Sequence, residues 1–228
     1  MMTPVSTYAL IHGAWQAGWL WDEVVPELEA RGHRAVAPDL PSEDPNAGLS
    51  DYARVVTEAI GGEDDVIVVG HSFGGITAPL VPARMIVFVC GHVPQPGRSL
   101  EETAAEDNPS TANAHDGRTV DELERDYWVD REMAIRDLYN ECDRPTAEAA
   151  AERLRRQSLK PRKQRSPLQR WPDVPCHYIL GTNERMIRPE WSRGAAARIG
   201  ATLHELDSDH TPMLSRPRDL AGLLASLA

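Results

Sequence analysis

Short apolar runs alternate with segments of helical spacing along this chain. Continuous runs such as Val66-Ile67-Val68-Val69 are typical of strands in a parallel sheet that is covered on both faces. Strands are predicted at residues 8–11, 35–37, 66–69, 85–90, 176–180 and 202–206, and helices at residues 19–31, 49–60, 191–199 and 219–227. Proline belongs in the first turn of a helix, so Pro26 leaves open a start of the first helix near Glu23. This alternation indicates an α/β fold with a mostly parallel sheet of about six strands flanked by helices.

Residues 98–170 interrupt the alternation, because they carry helical and loop patterns but no strand-like run. The segment is too long for an ordinary connection between two elements. We therefore predict a core formed by residues 1–97 and 171–228, with a helical lid inserted at residues 98–170.

Charge divides the predicted lid in two. Residues 101–148 hold fifteen acidic and five basic residues, whereas residues 153–170 hold eight basic residues and no acidic one. The basic half could bind an anionic substrate or carrier, but a solvated face paired with the acidic half is favoured. The cations in question are Arg153, Arg155, Arg156, Lys160, Arg162, Lys163 and Arg165.

Composition restricts the partners and the compartment. The net charge of −11 would repel phosphate backbones and anionic lipid, so neither nucleic acid nor a membrane is expected as a partner. We find no signal-peptide pattern and no apolar stretch of about 20 residues. The cysteines Cys90, Cys142 and Cys176 form neither a disulfide framework nor a zinc pattern, so a reduced, cytoplasmic protein is expected.

The segment Gly70-His71-Ser72-Phe73-Gly74-Gly75 contains Gly-x-Ser-x-Gly directly after a predicted strand. That context is typical of a nucleophile elbow, a tight turn that lifts a serine hydroxyl clear of the sheet. The alternative is a glycine-rich turn with an idle serine. We predict that Ser72 is the nucleophile.

A serine hydroxyl needs a base within hydrogen-bond reach. After an elbow the chain order is serine, acid, histidine, and three of the eight histidines follow the lid. His177 and His204 lie within predicted strands, whereas His210 lies in a polar loop at the end of a strand, where a catalytic base belongs. His210 is therefore the predicted base, with a surface-loop histidine as the alternative.

The acid of such a triad is expected in the loop after the preceding strand. Glu184 is the only carboxylate in the first turn of that loop, Gly181-Thr182-Asn183-Glu184-Arg185. It would hold the imidazole in the correct tautomer. Asp207 and Asp209, close to His210 in sequence, rank second, and an idle Glu184 stays open.

Two backbone N–H groups are needed to stabilise the oxyanion. Phe73, which follows the nucleophile, is one candidate, and Ala14, in the loop after the first strand, is the other. His12 is expected to brace that loop rather than to transfer protons. An apolar pocket is expected, with walls from Trp15, Phe73, Trp128 and Met213, although each could instead be plain core.

These motifs resemble the α/β-hydrolase group that holds plant methyl-ester esterases and hydroxynitrile lyases. The resemblance rests on residues 11–15 with Trp19 and Trp21, on residues 31–41, on the elbow, and on residues 182–187 and 208–215. It implies the α/β-hydrolase fold, a Ser72–His210–Glu184 triad, oxyanion donors at Ala14 and Phe73, and neither metal nor cofactor. Two departures are Glu184, where the group usually has aspartate, and a short helix after the elbow, from residue 75 to about residue 82.

Two positions separate the branches of that group. The lyases carry lysine where this chain has Thr211 and threonine where it has Gly13. Both positions favour an esterase that cleaves small carboxylic esters through an acyl-enzyme. Lyase, thioesterase or cyclase chemistry, or a ligand-binding protein with little turnover, are the alternatives. The expected partner is a small-molecule ester, and a homodimer stays open.

Overall fold

The computed structural model describes residues 5–114 and 116–228, and these contain two β-sheets. The strands are β1 Thr7–Ile11, β2 Arg34–Val36, β3 Val66–His71, β4 Met85–Val89, β5 Arg118–Val120, β6 Arg125–Trp128, β7 Gln157–Ser158, β8 Cys176–Gly181 and β9 Thr202–Leu206. The α-helices are α1 Val25–Glu29, α2 Leu49–Ile60, α3 Leu100–Glu106, α4 Arg131–Leu138, α5 Arg144–Glu152, α6 Lys160–Lys163, α7 Pro189–Arg198, α8 Pro212–Ser215 and α9 Pro217–Ser226. No described helix is long and apolar enough to cross a membrane.

The larger sheet has six strands in the order β2-β1-β3-β4-β8-β9, and every neighbouring pair is parallel. The predicted α/β class and parallel sheet are therefore confirmed. Because all six strands run the same way, the loops that follow β1, β3, β8 and β9 leave the sheet at one edge. These are the loops that carry the predicted catalytic residues.

Side chains of the sheet alternate between two apolar layers. In β3, Val66 and Val68 pack in one core cluster, whereas Ile67 and Val69 pack in the other. Successive strand residues point to opposite faces, so both faces of β3 are buried and the strand is apolar throughout. The sheet is thus a rigid support for the loops at its edge.

Two predicted helices differ from the structure. In place of one helix over residues 19–31, a 3-10 helix at Gly18–Trp21 is followed by α1, whose first turn contains Pro26. Proline lacks the N–H that a helix interior requires, so the helix begins beside it. After the elbow, 3-10 helices at Ser72–Ile76 and Ala78–Leu80 replace the predicted short helix.

The segment 98–170 is not wholly helical, so the prediction that it lacks strands is wrong. Besides α3 to α6 it contains β5, β6 and β7, which form a three-stranded antiparallel sheet. The strands have only two to four residues each, and most of these are polar, so they produce no apolar run. The segment hydrogen-bonds to the core at Thr111 N–H to the Met186 carbonyl (3.0 Å) and Arg155 N–H to the Trp15 carbonyl (2.6 Å).

Most cations of its basic half form ion pairs with neighbouring carboxylates. The pairs within the segment are Arg156–Asp121, Lys163–Glu124 and Arg165–Glu102, and those with the core are Arg153–Asp22 and Arg155–Glu43. For the cations in these pairs, the contacts agree with a solvated face paired with carboxylates rather than with a binding site for an anion. Surface pairs of this kind contribute little to stability, typically about 0–1 kcal/mol each.

Candidate active site

Ser72 lies at the turn between β3 and the following 3-10 helix, with φ at 49°. A non-glycine residue in this left-handed region is strained, and such strain persists only where the surroundings enforce it. The flanking glycines permit the turn. A Cβ at Gly70 would lie 2.9 Å from the Gly75 Cα, and one at Gly74 would lie 2.5 Å from the His12 carbonyl oxygen.

His210 meets Ser72 from the loop after β9. Its Nε2 lies 2.9 Å from the Ser72 Oγ, and its side chain is almost fully buried. His71 fixes the backbone at this point, because its Nε2–H donates to the His210 carbonyl at 2.9 Å. The imidazole is thus placed to accept the proton of the serine hydroxyl.

Glu184 lies behind the imidazole, in the loop after β8. One carboxylate oxygen is 2.7 Å from His210 Nδ1, so Nδ1 carries the proton and Nε2 is the acceptor. The other oxygen accepts the backbone N–H groups of Met186 (2.6 Å) and Ile187 (3.2 Å). With both oxygens bonded and the side chain at 0% exposure, the carboxylate has a fixed orientation.

The second-ranked acids have other partners. Asp207 is exposed, and its carboxylate accepts the Asn183 amide at 3.1 Å. Asp209 is buried, and it accepts the N–H groups of Thr211 and Glu141 and the Ser215 hydroxyl. Burial raises the pKa of Asp209. Of the three carboxylates weighed from the sequence, Glu184 is the one bonded to His210.

The loop after β1 comes close to the nucleophile. A Cβ at Gly13 would lie 2.9 Å from the Ser72 Cβ. His12 fixes the loop, because its Nδ1–H donates to the Gly13 carbonyl (2.8 Å) and its Nε2 accepts the Leu40 N–H (3.0 Å). Burial lowers the pKa of His12 to about 4, so the ring is neutral at pH 7.

A cavity lies over Ser72, between the sheet edge and residues 98–170. Ala14, Trp15 and Phe73, all singled out from the sequence, contribute to its lining. Trp128 does not line it but packs edge-on against Trp15, with ring centroids 5.6 Å apart. Met213 is fully buried in the other core cluster and does not line the cavity, so the prediction that it forms a pocket wall is wrong.

Several cavity residues were missed by the sequence analysis. They are His92, Leu100, Ala104, Pro109, Ser110, Ala114, Arg118, Asp126, Gln157, Ser158, Leu159, Met186 and Ile187, whereas Arg162 belongs to the basic residues already named from the sequence. Met186 and Ile187 could have been found, because they lie two and three residues after Glu184. His92 follows β4, and the others depend on how residues 98–170 fold back over the sheet.

One group of side chains has the composition of a metal site. The ligand atoms of Cys90, Glu184 and His210 lie within 4.8 Å of one another. However, both imidazole nitrogens are already engaged, one by Glu184 and one by Ser72. Burial also raises the pKa of the Cys90 thiol well above its usual range, which disfavours the thiolate that a metal requires.

The chain is similar to known hydrolases along most of its length. The sequence pattern of the alpha/beta hydrolase family matches residues 9–223. Methylesterase 7 of Arabidopsis thaliana is 26% identical, with 97% of this chain and 95% of that protein covered. Salicylic acid-binding protein 2 of Nicotiana tabacum is 27% identical, with 97% and 96% covered. Among solved structures, a pyrethroid hydrolase from Sphingobium faniae JZ-2 aligns with a TM-score of 0.86 at 25% identity, covering 98% of this chain and 97% of that one.

Proposed function

Because this chain belongs to the alpha/beta hydrolase family, we propose that it is a serine esterase that cleaves small carboxylic esters through an acyl-enzyme on Ser72. The observation that carries the proposal is the unbroken hydrogen-bonded series from Ser72 through His210 to Glu184. Relatives that match it over nearly their whole length are esterases by name, in agreement with the class of carboxylic ester hydrolase.

Acylation begins at the Ser72 hydroxyl. Its oxygen attacks the ester carbonyl while its proton passes to His210 Nε2. Glu184 stays ionised and stabilises the imidazolium that forms. His210 then donates this proton to the leaving alcohol, and an acyl group remains on Ser72. In the second half-reaction a water molecule loses its proton to His210 and releases the carboxylic acid.

The oxyanion is stabilised by the backbone N–H groups of Ala14 and Phe73. Both residues line the cavity next to Ser72, and the loop that carries Ala14 is fixed by His12. Donors held in place before the reaction act on the charge as it develops, at no cost of reorganisation. The close approach of Gly13 to Ser72 brings this loop to the reacting carbonyl.

The surroundings of His210 favour hydrolysis over cyanohydrin cleavage. Thr211 stands where the resembling lyases have lysine, and its hydroxyl donates to the Leu138 carbonyl at 2.7 Å. The side chain at this position is therefore uncharged and already bonded. Position 211 therefore supplies no cation to stabilise a cyanide leaving group.

The described cysteines are free thiols, two of them buried. Free thiols persist in a reducing compartment. They support the proposal that the protein works in the cytoplasm.

The proposed function is tested with p-nitrophenyl esters of increasing acyl length and with a cyanohydrin. We expect turnover of the short esters, no release of cyanide, and loss of ester turnover in Ser72→Ala by about 10³-fold or more. Unchanged thermal unfolding of the variant controls for its folding. Turnover that persists in Ser72→Ala would remove Ser72 from the mechanism, and cyanide release would replace hydrolysis by lyase chemistry.

A further inference from the structure

Two arginines and one aspartate from residues 98–170 line the cavity over Ser72. These are Arg118, Arg162 and Asp126, and together with Leu159 they also line an outer groove that opens to the surface. They therefore stand between the buried cavity and its outer groove. Their charges act on whatever occupies the end of the cavity away from the sheet.

The charge of Arg118 is balanced within the protein. Its guanidinium donates to Asp126 at 2.5 Å, and the two side chains are only 7% and 12% exposed. The same guanidinium lies over the Trp15 ring, 4.6 Å from the centroid. Arg118 and Asp126 thus form a compact, buried pair of opposite charges, and Arg162 is a second cation that acts on the Asp126 carboxylate.

Arg162 differs from three neighbouring cations of its segment. Arg156, Lys163 and Arg165 each have a carboxylate partner. Within residues 5–114 and 116–228, the Arg162 side chain forms neither an ion pair nor a hydrogen bond, although it is only partly exposed. A half-buried guanidinium with five unused donors is suited to an external acceptor.

Arg162 and Ser72 line the same cavity, so one molecule that fills it can contact both side chains. His92 lies at the catalytic end, because it lines the cavity and its backbone N–H donates to the Ser72 carbonyl at 2.9 Å. Burial lowers the pKa of His92 to about 3, and the Arg162 guanidinium lowers this pKa further.

We propose that Arg162 determines substrate specificity by binding a carboxylate at the far end of the ester from the scissile bond. The inference rests on the proposed esterase function and names its substrate class: esters that keep a second, free carboxylate, such as half-esters of dicarboxylic acids. The planar guanidinium matches the two oxygens of a carboxylate, with two parallel hydrogen bonds. The chain has a net charge of −11, so any preference for an anionic ester must come from a local cation.

The test compares two series of methyl esters of increasing chain length. One series is the monomethyl esters of linear dicarboxylic acids, and the other is the methyl esters of the matching monocarboxylic acids. We expect kcat/KM for the half-esters to peak at one chain length, where the free carboxylate reaches Arg162, and to exceed that of the neutral ester of that length. The neutral series should show no such peak of its own.

Variants identify the residue responsible. Arg162→Gln should lower kcat/KM for the best half-ester by about tenfold or more, mainly through KM, and change neutral esters by less than about threefold. Arg162→Lys should keep part of the preference, because it keeps the charge. Arg165→Gln is the matched control: it removes the same charge from a side chain that pairs with Glu102 and lies outside the cavity lining. It should leave both series unchanged.

Failure of this inference is distinct from failure of the proposed function. A wild-type enzyme that hydrolyses neutral esters through Ser72 but prefers no half-ester would overturn the role of Arg162 alone. Equal losses on both series in Arg162→Gln would overturn it as well, since they indicate a structural role. A wild-type protein that hydrolyses neither series would contradict the esterase function itself.

Discussion

At Ser72 a strained backbone and a buried hydrogen-bond network occur together. The φ of 49° sets the hydroxyl toward His210, and His210 is held at its ring Nδ1 by Glu184 and at its backbone carbonyl by His71. Glu184 and His71 are both buried, so neither of these hydrogen bonds is exposed to solvent. The reactivity of Ser72 therefore depends on the fixed positions of a few side chains.

Replacement of Glu184 by glutamine keeps its size and removes its charge. The amide cannot stabilise an imidazolium, and its NH₂ group would favour the wrong tautomer of His210. We expect Glu184→Gln to lower kcat for a p-nitrophenyl ester by about 10³- to 10⁴-fold. Steady-state kinetics with the folding checked by circular dichroism would measure this.

Asp209→Asn is the matched control for Glu184→Gln. Asp209 accepts two backbone N–H groups and one hydroxyl, and asparagine would lose at least one of these bonds. We expect a loss of about 1–3 kcal/mol in the free energy of unfolding, with kcat reduced far less than in Glu184→Gln. The opposite ranking of the two variants in kcat would move the acid to Asp209.

Individual site residues were predictable where a motif fixes their place relative to a strand. Ser72, Glu184 and His210 each follow a strand of the parallel sheet, and the apolar runs locate those strands in the sequence. Met213 could not be placed in this way. It lies in the short helix α8, whose buried side faces the other core cluster, and no sequence period distinguishes the two faces of a sheet buried on both.

At the scale of elements, the loop after β1 sets the space around the nucleophile. An added Cβ at Gly13 would lie 2.9 Å from both the Ser72 Cβ and the His71 Nδ1, closer than carbon atoms normally pack. We expect Gly13→Ala to displace this loop and lower kcat/KM by about tenfold or more, equivalent to about 1.4 kcal/mol in the barrier. Steady-state kinetics would measure the change.

Gly222→Ala is the control for that variant. Gly222 lies in α9, where an added Cβ would meet nothing within 4 Å. Alanine there should leave kcat/KM unchanged and could raise stability by up to about 1 kcal/mol, because alanine favours helix. If Gly13→Ala were as active as Gly222→Ala, the close approach of the loop would have no role in catalysis.

Elements with a strong hydrophobic period were predicted well, and those without one were not. Helix α2 begins and ends at the predicted residues, because its apolar positions recur on one face. The sheet β5-β6-β7 was missed, because its strands are short and contain mostly polar residues such as Arg118 and Asp126. This sheet is stabilised by pairing between segments that are far apart in sequence. The hydrophobic pattern of one segment does not reveal such pairing.

At the scale of the whole molecule, the parallel sheet brings together loops that are far apart in sequence. Ser72 and His210 are 138 positions apart but hydrogen-bonded, since β3 and β9 end at the same edge. The resemblance to the α/β-hydrolase group is confirmed by the family match over residues 9–223. The assignment of catalytic roles and of the lid boundaries stays a prediction.

Buried histidines make the stability of the whole chain dependent on pH. Burial lowers the pKa of His12 to about 4 and that of His71 well below its usual value of 6.5. The unfolded chain therefore binds more protons than the folded one below pH 6.5, and stability falls as the pH decreases from 6.5 toward 4. We expect His12 to remove about 1.4 kcal/mol of stability per pH unit in that range, and His71 to add to the loss in the same direction.

Thermal unfolding between pH 7.5 and 4.5 would measure this dependence. The midpoint should be nearly constant above pH 7 and fall progressively below pH 6.5. His12→Asn should be less stable at pH 7 but show a shallower decline, since one titrating group is gone. A wild-type midpoint that stays level down to pH 5 would contradict the account of neutral, buried imidazoles.

The central claim is that Ser72 is the nucleophile activated by His210, and covalent labelling tests it most directly. The protein is treated with a fluorophosphonate, and the modified residue is located by mass spectrometry of peptides while esterase activity is followed. The account predicts one phosphonyl group per chain, on Ser72, with activity lost in proportion to labelling and no label in Ser72→Ala. Loss of activity with the label on another residue, or full activity after complete labelling of Ser72, would contradict it.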